Sequence, residues 1–328
     1  MCERSRPGSR SCRSESATSC AGAAGYELNE GCHHDRSPSE RGPGVPHRPG
    51  RTEGRNHLAV SYLNAREDAD FGFRKEYHIM EAREPTPFFG HWTGTRNAAL
   101  GALSDHEASL PVGEAAKAIV HAAMIVHPPL YLAYFRELAE KPGIRLVGDI
   151  SPGYNYMPVH LLEELRSYFE ARGIRTRSIF LLRDPVRRLQ SMVRMNFRRA
   201  GIVPEREQEF EAIDSHADAP YDRRHGAYEE IVPHLDAILG ADVHYEFYER
   251  LFTHEAIERI CAFLDIPYLA ADFDHRVNYS EDRHPMPADM LLRLRGRFAA
   301  RYEYCRERFG AELIDELWRE PAVASPGG

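Results

Sequence analysis

The 328-residue chain predicts an α/β fold, a mainly parallel sheet flanked by helices. Three observations carry this. An apolar run at 178–182 is stopped by Arg183-Asp184-Pro185, after which Val186, Leu189, Val193 and Phe197 recur at helical spacing. Strand patterns also lie at 145–149, ending in a turn, and around Tyr245-Glu246-Phe247. Long helical patterns separate them, and strands that alternate with helices pair most readily in parallel.

The chain opens differently. Residues 1–56 hold 21 Gly, Pro or Ser, and only Met1, Leu28 and Val45 represent Met, Val, Ile, Leu and Phe. No strand is expected there, because so little apolar area cannot offset the entropy of ordering. No apolar core suits a signal peptide. The segment reads as a disordered tail or as a misread start that replaced a first strand. Residues 57–320 then form one sizeable domain, followed by a short tail at 321–328.

Along that domain, Phe73-Arg74-Lys75-Glu76-Tyr77-His78-Ile79-Met80-Glu81 is dense in charge. The strand at 145–149 leads into Ser151-Pro152-Gly153-Tyr154. The next strand delivers Arg183 to its carboxyl end, with Ser191 about two turns into the following helix. A guanidinium and a hydroxyl at a strand–helix corner suit a phosphate. Downstream, Ile260, Phe263 and Leu264 mark a helical apolar face. The residues alone fit plainer roles equally well. These are Arg183 paired with a carboxylate, Ser191 facing water, a Lys75–Glu76 pair beside a packed His78, Asp149 capping a turn, and a solvated Arg283.

Arg183-Asp184-Pro185-x-x-Arg188-x-x-Ser191 resembles the signature of sulfotransferases that use 3′-phosphoadenosine 5′-phosphosulfate (PAPS). The resemblance implies that Arg183 and Ser191 bind the nucleotide 3′-phosphate. The segment 73–81 is similar to the one that carries the catalytic base in the heparan-sulfate-type branch. By that likeness Glu76 deprotonates the acceptor hydroxyl, His78 adjoins it, and Glu81 falls where some members carry Asp. Residues 145–154 look like the family's Gly-Glu-Lys-Thr-Pro-x-Tyr element, with Asp149 for the Glu and Ile150 for the Lys. Residues 245–252 are similar to its late strand, and 278–285 to a loop that closes over the nucleotide, from which Arg283 is expected to contact a phosphate. The likeness runs from about His57 to Trp318.

It implies a P-loop-NTPase-like sheet, and here this chain departs from the pattern. The family opens with a strand running into a Lys-x-Gly-Thr-Thr-like loop that cradles the 5′-phosphosulfate. Its following helix ends in a run that Tyr62-Leu63-Asn64-Ala65 resembles, and counting back from there places the loop at about Thr52-Glu53-Gly54-Arg55-Asn56-His57, where only Gly54 fits. The only lysines, Lys75, Lys117 and Lys141, lie elsewhere. First strand and phosphate loop are therefore expected to be degenerate.

The implied activity is sulfuryl transfer from PAPS to a hydroxyl of a carbohydrate or small molecule, impaired in this chain, with PAP as product and no metal. The alternative is a degenerate protein that holds nucleotide or a sulfated ligand without turnover. A phosphoryl-transferring relative calls for Gly-x-x-x-x-Gly-Lys-Ser/Thr, which is missing from the sequence.

The formal net charge of −8 argues against a broad nucleic-acid partner, and Arg194, Arg198 and Arg199 read as a solvated helix face, with an anionic ligand as the alternative. No apolar run is long enough for a transmembrane helix, so no membrane partner is expected. The six cysteines show no disulfide spacing, which suits a reducing cytoplasm, and Cys32-His33-His34 makes at most a minimal metal motif. His91, Trp92, Tyr154 and Tyr156 are candidates to stack on an acceptor ring. Acceptor identity and oligomeric state stay open.

Overall fold

The computed structural model describes residues 18–23, 62–83, 112–219, 226–270 and 284–319. The loop position at 52–57, Arg283, the segment with His91 and Trp92, and Cys32-His33-His34 lie outside the described residues.

The fold is mixed α/β and mostly helical. Among the described residues the strands are β1 (Thr18–Ala23), β2 (Ala69–Asp70), β3 (Leu146–Asp149), β4 (Arg175–Leu182) and β5 (Val243–Phe247). They form one sheet in the order β2-β3-β1-β4-β5, with every neighbouring pair parallel. The helices are α1 (Ile79–Arg83), α2 (Val112–Val126), α3 (Pro129–Ala139), α4 (Val159–Glu170), α5 (Pro185–Arg199), α6 (Arg206–Ala217), α7 (Tyr228–Leu239), α8 (His254–Leu264), α9 (Ala288–Arg297), α10 (Ala299–Phe309) and α11 (Ala311–Leu317). A 3-10 turn (Pro152–Tyr156) follows β3. Residues 62–65 are helical, as the resemblance implies. Among the described residues no helix is long and apolar enough to cross a membrane.

The central strand corrects one expectation. Thr18–Ala23 pairs with β3 in the register Thr18 to Leu146 and with β4 in the register Thr18 to Arg175. Composition judges whether a segment can bury apolar side chains. A strand between two parallel neighbours is held by its backbone, whose donors and acceptors pair on both edges whatever the side chains are.

Alternation along the strands divides the interior in two. Val147, Phe180, Leu182 and Phe247 face a large core that includes Phe135, Leu161, Phe169, Val186, Leu189, Ile231, Leu294 and Trp318. Leu146 and Ile179 face a smaller one with Tyr62, Leu63, Phe71, Ile257, Ile260 and Leu264. Near-continuous apolar strands are what a sheet covered on both faces needs. Because all strands run the same way, their carboxyl ends share one edge. There β3 delivers Asp149 and Ser151 on one side of β1, and β4 delivers Arg183 on the other.

Candidate functional site

The segment between β2 and α1 wraps around its own tyrosine. Tyr77 is fully buried, edge-on to Phe73, Tyr131 and Phe135. Its hydroxyl accepts the Phe73 and Arg74 amides at 3.0 and 3.2 Å. Gly72 makes the turn at φ 71°, and a Cβ there would collide with that hydroxyl. This packing delivers Glu76 and His78 to the sheet edge, with His78 in the left-handed region at φ 55°.

His78 lies between two carboxylates. Its Nδ1 is 2.8 Å from Glu81 Oε2 and its Nε2 is 3.3 Å from Glu76 Oε2. Burial opposes its charge, yet Glu81 and Glu76 outweigh it and hold the imidazole up at about 9. His78 is therefore an imidazolium at neutral pH, donating from both nitrogens. Burial likewise pushes Glu76 up, but His78 and Lys75, whose Nζ is 3.2 Å from Glu76 Oε1, bring it below the usual carboxylate range. Burial raises Glu81 above its ordinary value. The two carboxylates differ in access: the Glu76 side chain is 24% exposed and that of Glu81 1%. Glu81 is covered by Gly153, where a Cβ would run into its carboxylate.

Asp149 anchors the cluster from below. Its Oδ2 accepts the Tyr154 and Tyr131 hydroxyls at 2.7 and 2.9 Å, and its Oδ1 accepts Ser151 Oγ at 2.8 Å. Burial raises its pKa, since these donors offset desolvation only in part. Tyr154 is thus a buried donor, 3% exposed, and not a stacking surface for an acceptor. The side chain's hydroxyl needed a partner, and Asp149 supplied one inside the core.

The second group lies across β1. Asp184 caps α5, accepting the Arg187 amide at 2.9 Å, and Pro185 takes the first helical position, where its missing N–H costs nothing. The Tyr228 hydroxyl accepts the Arg183 amide at 3.1 Å and donates to the Arg183 carbonyl at 2.8 Å. The Arg183 guanidinium lies 4.3 Å from the Tyr248 ring centroid, a cation–π contact that orients it. Ser191 is 4% exposed on the inner side of α5. The start of the fifteen-residue α5 thus follows directly on Arg183, and Ser191 lies buried farther along the same helix. Arg194, expected on a solvated face, instead bonds Glu209 at 2.5 Å and the His284 carbonyl at 3.0 Å.

The structure therefore brings Glu76, His78, Glu81 and Asp149 into one cluster, and sets Arg183 just past the end of the neighbouring strand and Ser191 buried within α5. Sequence reasoning passed over His121, which is buried on α2 with Nε2 2.8 Å from the Tyr77 carbonyl, and gave Ser151 no role. A histidine in the apolar stretch of α2 was the one available signal. Among the described residues no group of three or more His, Cys, Asp or Glu could hold a metal.

No protein-family model and no curated protein matches the chain. Solved structures similar to it include two sulfotransferases. The enzyme from Alicyclobacillus acidocaldarius is 18% identical with a TM-score of 0.45, over 82% of this chain and 93% of that one. The sulfotransferase domain from the curacin biosynthetic pathway is 15% identical with a TM-score of 0.40, over 77% of this chain and 75% of that one.

Proposed function

We propose that this chain transfers a sulfuryl group from PAPS to a hydroxyl of a carbohydrate or small molecule. The observation that carries the reading is Glu76: an ionised, reachable carboxylate on an otherwise buried cluster, held by the His78 ring at 3.3 Å. As the acceptor oxygen attacks sulfur, the bond from sulfur to the 5′-phosphate breaks and the O–H proton passes to Glu76. A carboxylate with a lowered pKa suffices, because an oxygen joined to sulfur becomes far more acidic than the free alcohol. Proton transfer of this kind contributes about 100- to 10,000-fold. Arg183 and Ser191 would hold the 3′-phosphate, supplying binding energy away from the reacting centre. PAPS supplies the sulfuryl group and leaves as PAP.

A second reading is a binding protein without turnover. Thr52, Arg55 and Asn56 at the phosphate-loop positions favour it, since losing one oxyanion donor costs about 100- to 1000-fold in rate. Calorimetric titration with PAP, beside Arg183→Ala, tests the nucleotide grip common to both. Micromolar binding lost in the variant is expected, and a folded protein that binds no PAP overturns the enzyme reading and the nucleotide-binding form of the second. Sulfation of any hydroxyl acceptor by PAPS, abolished in Glu76→Gln with PAP affinity retained, separates the enzyme from the binder. Unchanged turnover in Glu76→Gln removes that residue from the mechanism.

A further inference from the structure

The peptide linking Tyr77 to His78 is held from both ends. Ser151 Oγ accepts the His78 amide at 2.9 Å and the Tyr77 amide at 3.1 Å, having donated its own hydrogen to Asp149 Oδ1 at 2.8 Å. That uses the full bonding capacity of a hydroxyl. On the other side, His121 Nε2 meets the Tyr77 carbonyl at 2.8 Å. A carbonyl only accepts, so the His121 proton resides on Nε2. Burial, with Arg74 nearby, pushes His121 down to about 4 and keeps it a neutral donor. Ser151 is 0% and His121 3% exposed, so neither meets an acceptor molecule directly.

Such bracing has a physical purpose. A non-glycine residue in the left-handed region costs about 1–2 kcal/mol and persists only where its surroundings over-determine it. His78 is such a residue, at φ 55°. Returned to an ordinary φ, its Cβ would leave the backbone in another direction, and the ring could not bridge Glu76 and Glu81 together.

We propose that Ser151 and His121 are positioning residues that clamp the Tyr77–His78 peptide, and so aim the His78 ring between Glu76 and Glu81. The kinetic consequence rests on the sulfuryl-transfer reading, whereas the clamp itself does not. The charged and titratable groups facing His78 are Glu76 with Lys75 in the loop, Glu81 on α1, Asp149 at the end of β3 and His121 on α2 with Arg74 beside it.

The test is an NMR titration of the His78 ring in the full chain, comparing wild type, Ser151→Ala, Ser151→Thr and His121→Phe. Ser151→Ala is expected to drop the His78 midpoint from about 9 toward the ordinary histidine value of about 6.5. Ser151→Thr, which keeps the hydroxyl, should restore it, and His121→Phe, which keeps a ring but no donor, should lower it. Where turnover is measured, Ser151→Ala should lose about 10- to 100-fold in kcat, with PAP affinity unchanged. A wild-type midpoint in Ser151→Ala, or equal loss in Ser151→Ala and Ser151→Thr, overturns the clamp. Should Ser151→Ala fail to fold, an unchanged midpoint in His121→Phe overturns it. A wild type without sulfuryl transfer defeats the functional reading alone, because the midpoints still decide the clamp.

Discussion

Tyr302 on α10 donates its hydroxyl to Asp184 Oδ2 across 3.0 Å, tying the C-terminal helices to the residue that begins α5. Arg295 reaches the same oxygen at 3.4 Å, and Asp184 Oδ1 caps the helix through Arg187. One carboxylate thus joins the α5 start, beside Arg183, to α9 and α10.

Asp184→Ala should therefore cost more than a lost cap. An N-cap is worth about 1 kcal/mol, and leaving the buried Tyr302 hydroxyl unsatisfied adds about 1–3 kcal/mol. We expect about 2–4 kcal/mol in urea unfolding with an unchanged slope. Asp184→Asn, which still caps, should lose less. A variant as stable as wild type would show that the tie carries no weight.

The His78–Glu81 pair predicts an alkaline weakness. His78 is raised from 6.5 to about 9, so its contribution is complete below pH 6.5 and disappears as pH rises through 9. That window corresponds to about 3 kcal/mol. Burial raises Glu81 and Asp149 as well, which slopes stability the same way with rising pH. Glu81→Gln should be destabilised at pH 6 and approach wild type above pH 9, as read by unfolding at both pH values. A constant difference across that range would remove the pair from the pH dependence.

Glu246 predicts the opposite limb. Burial pushes it up, but His244, the Phe247 amide, Arg250 and Arg259 together pull it down to about 2. A depressed carboxylate stabilises the fold above its ordinary value near 4.5 and loses that contribution as pH falls through 2. With partly exposed arginine partners, about 2 kcal/mol is expected. Glu246→Gln should flatten the acid side of the stability profile, and an unchanged acid limb would refute the assignment.

Gly153→Ala tests the fit above Glu81. The new Cβ would enter the Glu81 carboxylate, which is buried. Overpacking of this kind costs about 1–3 kcal/mol. The His78 NMR midpoint should fall with it, because Glu81 is displaced; a stable variant with a wild-type midpoint would show that the carboxylate relaxes freely.

The parts of the molecule that sequence reasoning reached are those with local causes. The β4–α5 corner follows from an apolar run, an aspartate cap and a proline in consecutive positions, and it forms at Arg175–Leu182 and Pro185–Arg199. β3, β5 and α8 are legible by the same periodicities. Glu76 and His78 came from a motif likeness, and their two-residue spacing survives as a direct contact.

What only the tertiary structure decided lies in interactions between distant segments. Thr18–Ala23 becomes the central strand because backbone pairing to β3 and β4 ignores the composition that argued against it. Tyr154 turns inward because Asp149, five residues back, offers a buried acceptor. Ser151 and His121 meet Tyr77 from 74 and 44 residues away, a distance over which no periodicity or propensity carries information. Sequence alone determined which groups the site can contain. Folding determined their protonation, because burial and the partners brought by remote segments set each charge.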